Sequence, residues 1–442
     1  MSQLHVEKKI IGNSLIFQTR TGYNPEVIID YNPSLGNNEG YLSYRNCCRE
    51  IGNRYHFNNG ASLKRKTYKK NIFVIALLML FSINIYSQNM VLDACYTYLK
   101  ENGQSPEQYV ISKFEQYDYV FLGEYHRAKQ DVNFVSALIP DLYKNGIRNI
   151  AYEFYEYTNQ IILDSLLSAK EWDEKCLYHH ISKGYAVTWG YTEYLNLFKK
   201  VWEFNQTLEP NQIKFRVVLL HSEYNPCEKD PFGGQDRDFF MANVFAKEIV
   251  SKGEKALIYC GTHHAFTKYR HPVYDYKKSK LIGFNNNRMG NIIYKNFPEK
   301  TFTIILHSPW TSNKGFNKRS VKPVHGVIDA AMGLLNNIPM GFDVKNTIIG
   351  DLRANNTYYA FGYEDFKMED FCDGYIFLLP YKQVEFVSVS PDFYDEYNLN
   401  KVKEYYKCRG YSDKKLKKVT QKKVMKRFTE KAKIHYDLLL KK

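Results

Sequence analysis

The sequence predicts an α/β protein with a mostly parallel central sheet and helices on both faces. Three observations lead there. Short β-branched or aromatic runs alternate with longer segments of helical spacing, the strand-like runs are apolar almost throughout, and polar residues cluster where those runs end. A strand that is apolar on both sides is covered on both sides, and intervening helices supply the crossovers that parallel strands need.

Taken in order, Tyr119-Val120-Phe121-Leu122 reads as a buried strand ending at Gly123, and Val132 to Tyr143 follows as one helix through Val132, Val135, Leu138, Ile139 and Leu142. Asn149-Ile150-Ala151-Tyr152 is the next strand, ending at Glu153 and expected to neighbour the first. Helices are expected over 158–169 and 190–207. Phe215 to Leu220 is a third strand and Asp236 to Ser251 a further helix. Ala256 to Cys260 is a fourth strand ending at Gly261, and Phe302 to Leu306 and Tyr375 to Leu379 are two more. No repeat interrupts the pattern, so 89–400 is expected to be one α/β domain.

Two end segments stand apart. Lys64-Arg65-Lys66 and Lys69-Lys70 precede the apolar run Asn71 to Phe81, and small or polar residues follow through Ser87-Gln88. That is the charged, apolar and cleavable order of a signal peptide, expected over 70–88. The run is shorter than the roughly 20 residues a membrane span needs. Residues 1–69 then form a leader with no place in an exported protein, which points to an over-extended start and initiation near Leu63. The expected location is outside the cytoplasm: periplasmic, cell-envelope or secreted.

At the other end, 401–442 holds 16 Lys and Arg against 4 Asp and Glu, which leaves a net charge of only +2 for the rest of a chain whose total is +14. The basic character therefore belongs to the C-terminal segment, expected to be helical, with a solvated face or one suited to an anionic membrane surface. Nucleic acid is not an expected partner. Eight cysteines are scattered without a Cys-x-x-Cys pair, which excludes a disulfide scaffold and a cysteine metal site. No metalloprotease, phosphate-loop, nucleophile-elbow or dinucleotide signature is present.

Open α/β sheets bind ligands at the carboxyl ends of their strands. Glu124 and His126, Glu153, His221 and Glu223, His263 and His264, and His307 all fall at such ends. Gly-x-x-His occurs at Gly123–His126 and again at Gly261–His264, each just after a strand. A glycine there turns the chain sharply, and the histidine that follows can face a cleft as a metal ligand or proton shuttle. Two carboxylates, Glu124 and Glu153, facing these histidines would suit a divalent metal or a general base acting on water. Arg237, at the start of a helix, could hold a carboxylate or an oxyanion, while Asp238 beside it reads as a helix cap. His179, His180 and His307 read as structural.

Phe121-Leu122-Gly123-Glu124-Tyr125-His126, Ala151-Tyr152-Glu153, Asp236 to Ala242 and Gly261-Thr262-His263-His264, in that order, resemble the signature of one superfamily. It joins erythromycin esterases, ChaN-like haem-binding lipoproteins and the Tiki and TraB-type proteins. The likeness runs from about 115 to 270 and more weakly to about 385. Two residues separate Glu124 from His126, and His263 and His264 are adjacent, so the paired motif is closer to the Tiki form than to the esterase form. The resemblance implies an exported metal-assisted hydrolase that cleaves an ester or amide bond in a small molecule or peptide. His126, His264 and Glu153 would hold the metal, and Glu124, Glu153, Arg237 and His263 would serve catalysis. It implies, as the alternative, a haem- or iron-binding protein using the same cleft.

Overall fold

The computed structural model describes residues 90–440 apart from Gln235 and 315–318, with side chains as far as Lys433, and the backbone of four N-terminal strands. The chain divides into two units, Met1–Asn89 and Met90–Lys442. In the first, Val6–Ile11, Ser14–Thr19, Glu26–Tyr31 and Gly40–Arg45 form an antiparallel sheet in chain order. The expected signal peptide over 70–88 and the expected start near Leu63 lie outside the described residues.

The second unit carries a seven-stranded sheet. Its strands, numbered in chain order, are β1 (Tyr119–Glu124), β2 (Asn149–Glu156), β3 (Arg216–His221), β4 (Ala256–Gly261), β5 (Thr301–Leu306), β6 (Met340–Asp343) and β7 (Gly374–Phe377). The spatial order is β6-β7-β5-β1-β4-β2-β3. All neighbours run parallel except the edge strand β6, which is antiparallel to β7.

Side chains alternate across a strand, and here both sides are apolar. Val120, Leu122, Ile150, Tyr152, Leu257, Tyr259, Ile304 and Leu306 enter one core, while Tyr119, Phe121, Ala151, Ile258, Cys260 and Ile305 enter the other. Continuous apolar runs are therefore two half-filled cores interleaved, which is what the near-unbroken hydrophobicity predicted.

Helix α1 (Lys129–Ala137) and helix α2 (Ile139–Lys144) stand where one helix was expected. Pro140 forces the break: it has no N–H to donate, and its ring crowds the carbonyl one turn earlier. Strand β6 was not expected, because Gly341 interrupts its apolar run. A Cβ at Gly341 would lie 2.4 Å from the Tyr109 ring, so the glycine is there to seat that tyrosine. Also unexpected are the hairpin His271–Asp275 with Lys280–Asn285 and the helix Met289–Asn296.

The basic C-terminal segment is packed onto this unit. Val402, Tyr406, Val424, Phe428 and Ala432 are buried in the first core, on the helices Glu396–Cys408 and Gln421–Leu440. Cys408 is disulfide-bonded to Cys227 in the loop after β3. Among the described residues no helix is long and apolar enough to cross a membrane.

Candidate active site at the carboxyl ends of β1, β4 and β2

Parallel register brings three strand ends together. Glu124 of β1 pairs with Gly261 of β4, and Tyr152 of β2 pairs with Tyr259 of β4. Strand β2 is thus not the neighbour of β1, as the sequence suggested; β4, which arrives later in the chain, is inserted between them. The second Gly-x-x-His turn consequently rises between Glu124 and Glu153.

Gly261 is where the two halves meet. A Cβ there would lie 2.6 Å from His126 Cε1, 2.9 Å from His126 Nε2 and 3.4 Å from Glu153 Oε2. Only a residue without a side chain lets the imidazole and the carboxylate approach one point above β4.

On the β1 side, His126 Nδ1 lies 2.7 Å from Glu124 Oε1. Glu124 is almost completely buried and accepts two phenolic hydrogen bonds, from Tyr194 at 2.5 Å and from Tyr259. Burial and then the Glu124 charge push both phenols well above the usual tyrosine range, so they remain donors. Glu124 therefore orients the imidazole through Nδ1, and the ring's Nε2 faces away from that carboxylate. The His126 side chain is 36% exposed, and the rings of Phe154 and Trp189 stand edge-on to it at 5.5 and 5.3 Å.

On the other side, His264 is buried in a network of charges. Its Nδ1 is 2.5 Å from Asp238 Oδ1, and its Nε2 is 3.2 Å from Glu153 Oε1 and 2.5 Å from an Arg237 nitrogen. Burial opposes charge on His264, but Glu153 and Asp238 outweigh burial and Arg237 and hold its pKa above the ordinary histidine value. Burial likewise opposes charge on Glu153, but His264 first, then His126 and Arg237, hold its carboxyl well below the usual range. Glu153 Oε2 also accepts the Gly261 N–H at 2.6 Å. Asp238 is kept ionised, against its burial, by His264, the Met289 N–H and Arg288.

The structure thus brings Glu124, His126, Glu153, Arg237 and His264 together. His263, also expected in the site, stands apart from them: its Nε2 lies 3.0 Å from the Tyr359 hydroxyl and its ring packs against His271. Burial, then His271 and Arg288, keep it neutral, so it belongs to an aromatic cluster and not to the charged centre. His221, at the end of β3, is held neutral by burial and Arg237, which bring its pKa to about 4. His307 Nδ1 lies 3.0 Å from the Tyr375 hydroxyl, and its ring stacks on Tyr381.

The expected metal set His126, His264 and Glu153 does not form. Among the described residues no three His, Cys, Asp or Glu side chains are disposed to hold a metal ion. His264 has committed both nitrogens, and the guanidinium against its Nε2 disfavours a second cation there. Sequence reasoning missed Tyr194, Tyr259 and Arg288, and read Asp238 as a cap. The cap is Asp236, which accepts the Phe239 N–H, while Asp238 turns to His264. The signal was the Asp-Arg-Asp triplet: one acid suffices to cap a helix.

No family model matches the chain, and no curated protein matches it in sequence. Among solved structures it is similar to a succinoglycan biosynthesis protein, with a TM-score of 0.46 at 10% identity over 69% of this chain and 99% of that one. It is also similar to ChaN of Campylobacter jejuni, described for cofacial heme binding, with a TM-score of 0.30 at 14% identity over 45% and 84%. A third is the C-terminal region of Pasteurella multocida toxin, described as having a thiol-protease-like catalytic triad, with a TM-score of 0.31 at 11% identity over 46% and 25%. Likenesses this loose transfer no chemistry.

Proposed function

We propose that the chain is an exported hydrolase of the erythromycin esterase, ChaN-like and Tiki superfamily that it resembles, cleaving an ester or amide bond with water activated by His126 and without a metal ion. The observation that carries this reading is the His126 imidazole, held at Nδ1 by a buried carboxylate and open at Nε2. Water bonded to Nε2 would give up its proton there as it attacks the carbonyl carbon, and the imidazolium would be stabilised by Glu124. The same proton would then pass to the leaving oxygen or nitrogen. Arg237 is the donor available to the oxyanion that forms in between. The signal-like segment and the Cys227–Cys408 bond both support an oxidising, extracytoplasmic location.

The test is a panel of ester and peptide substrates given to the full chain in the presence of a chelator. Turnover should persist under chelation and fall by about 10²–10⁴-fold in His126→Ala. Turnover that requires added divalent metal, or that survives His126→Ala, would overturn the reading.

A second reading rests on the same imidazole. A histidine with Nδ1 on a carboxylate and Nε2 open between aromatic rings also fits an axial haem ligand. A Soret band on haem addition, lost in His126→Ala, would favour it over hydrolysis.

A further inference from the structure

Arg127, the residue after His126, adopts φ 77°, a left-handed conformation that side chains other than glycine rarely take. The residue is only 7% exposed, and its guanidinium lies 4.3 Å from the centre of the Trp189 ring and donates Nε–H to the Tyr191 hydroxyl at 3.1 Å. Its backbone N–H donates to the Tyr194 hydroxyl, but among the described residues the remaining guanidinium N–H groups meet no acceptor and no carboxylate is within ion-pair distance. A buried guanidinium without a counter-ion is costly, because a charge leaving water must recover its hydration from a partner.

A second cation stands nearby. Lys431, on the C-terminal helix Gln421–Leu440, reaches within 3.4 Å of the Tyr185 hydroxyl and also pairs with no acid among the described residues. That helix is seated by Phe428, whose carbonyl accepts the Tyr191 hydroxyl at 3.3 Å and whose ring stacks on Tyr394. Tyr185 therefore feels both cations. Burial raises its pKa, but Lys431 and Arg127 together bring it below the ordinary tyrosine value. The Trp189 indole N–H is buried and has no acceptor among the described residues. Glu156, a buried acid bordering this region at Gly184, accepts the Tyr224 N–H and not either cation.

We propose that Arg127, Lys431 and the Tyr185 hydroxyl form a binding site for an oxyanion of the phosphate or carboxylate kind, and that the substrate carries such a group. Trp189 contacts both His126 and Arg127, so the anion would sit one aromatic ring away from the reactive imidazole. A planar guanidinium, an ammonium and a phenol together suit an oxyanion better than a neutral group. Assigning the anion to a substrate rests on the hydrolase reading; the anion site itself does not.

Calorimetric titration of the full chain with inorganic phosphate, and separately with acetate, at low salt tests the site. Saturable binding of at least one anion is expected, weakened tenfold or more in Lys431→Ala and lost in Arg127→Gly, where glycine accepts the backbone conformation. Absence of saturable binding in the wild type overturns the proposal, as does wild-type affinity in Lys431→Ala; that variant also decides the matter where Arg127→Gly fails to fold. His126→Ala should retain anion binding while losing turnover. Anion binding without any hydrolysis would then overturn the hydrolase alone, and hydrolysis without anion binding would overturn the anion site alone.

Discussion

The first Gly-x-x-His turn leaves the His126 side chain 36% exposed against one carboxylate; the second buries His264 to 4% exposure, between two carboxylates and a guanidinium. Both histidines follow a parallel strand and both donate to an acid. What differs is what surrounds them. Two phenols saturate Glu124, so it orients His126 and reaches nothing further. Asp238 and Glu153 are charged partners, so His264 becomes part of a fixed electrostatic wall. One motif thus leaves one imidazole partly exposed against a single carboxylate and encloses the other among charges, and solvent access with counter-charge makes the difference.

That contrast is most severely tested by His264→Ala. Removing the imidazole leaves Asp238 and Glu153 as buried carboxylates with weakened compensation, and unfolding free energy should fall by about 3–5 kcal/mol. The pH dependence follows from the two shifts. Glu153 has a depressed pKa, so its contribution is present above its ordinary value of 4.5 and is lost as pH falls. His264 has a raised pKa, so its contribution is present below 6.5 and is lost as pH rises through the folded value. Denaturation series should therefore show the greatest loss in this variant between those limits; an effect that grows at alkaline pH would contradict the ion-pair assignment.

On the exposed side the effect should be kinetic. Glu124→Gln keeps the shape but removes the charge that stabilises the His126 imidazolium, and turnover should drop by roughly 10²-fold. A rate unchanged in steady-state assays would mean that His126 does not act as the base. Gly261→Ala sharpens the comparison from between the halves. Its methyl would stand 2.6 Å from His126 Cε1, forcing the ring aside at a cost of about 1–3 kcal/mol. Histidine NMR should show His126 disturbed and His264 unchanged.

The smallest effect lies next to the site. Burial pushes Glu156 up to about 7 from 4.5. The folded state then holds a proton that the unfolded state releases, so stability present below 4.5 is lost as pH rises through about 7. Glu156→Gln should stabilise the protein at pH 8 by on the order of 1–3 kcal/mol and leave it unchanged at pH 4. Chemical denaturation at the two pH values reads this directly.

Much of this was legible in the residues alone. The apolar runs from Tyr119, Asn149, Ala256 and Phe302 declared themselves as buried parallel strands, because a strand covered on both faces has no polar alternation. Glycine at 123 and 261, each with a histidine three residues on, marked the strand ends, where open α/β sheets bind ligands. The sequence alone therefore determined the layer order and placed Glu124, His126, Glu153 and His264 at one edge of the sheet. It could not order the strands laterally, since nothing in β4 announces that it slots between β1 and β2. That insertion is settled by long-range packing, and it places His126 and Glu153 around Gly261. Nor could the sequence assign roles to equivalent histidines. Whether an imidazole acts as base, cation or neutral filler depends on burial and on partners brought from Tyr194, Asp238 and Tyr359, remote in the chain. Proton affinity is set by three-dimensional surroundings, and those exist only in the folded protein.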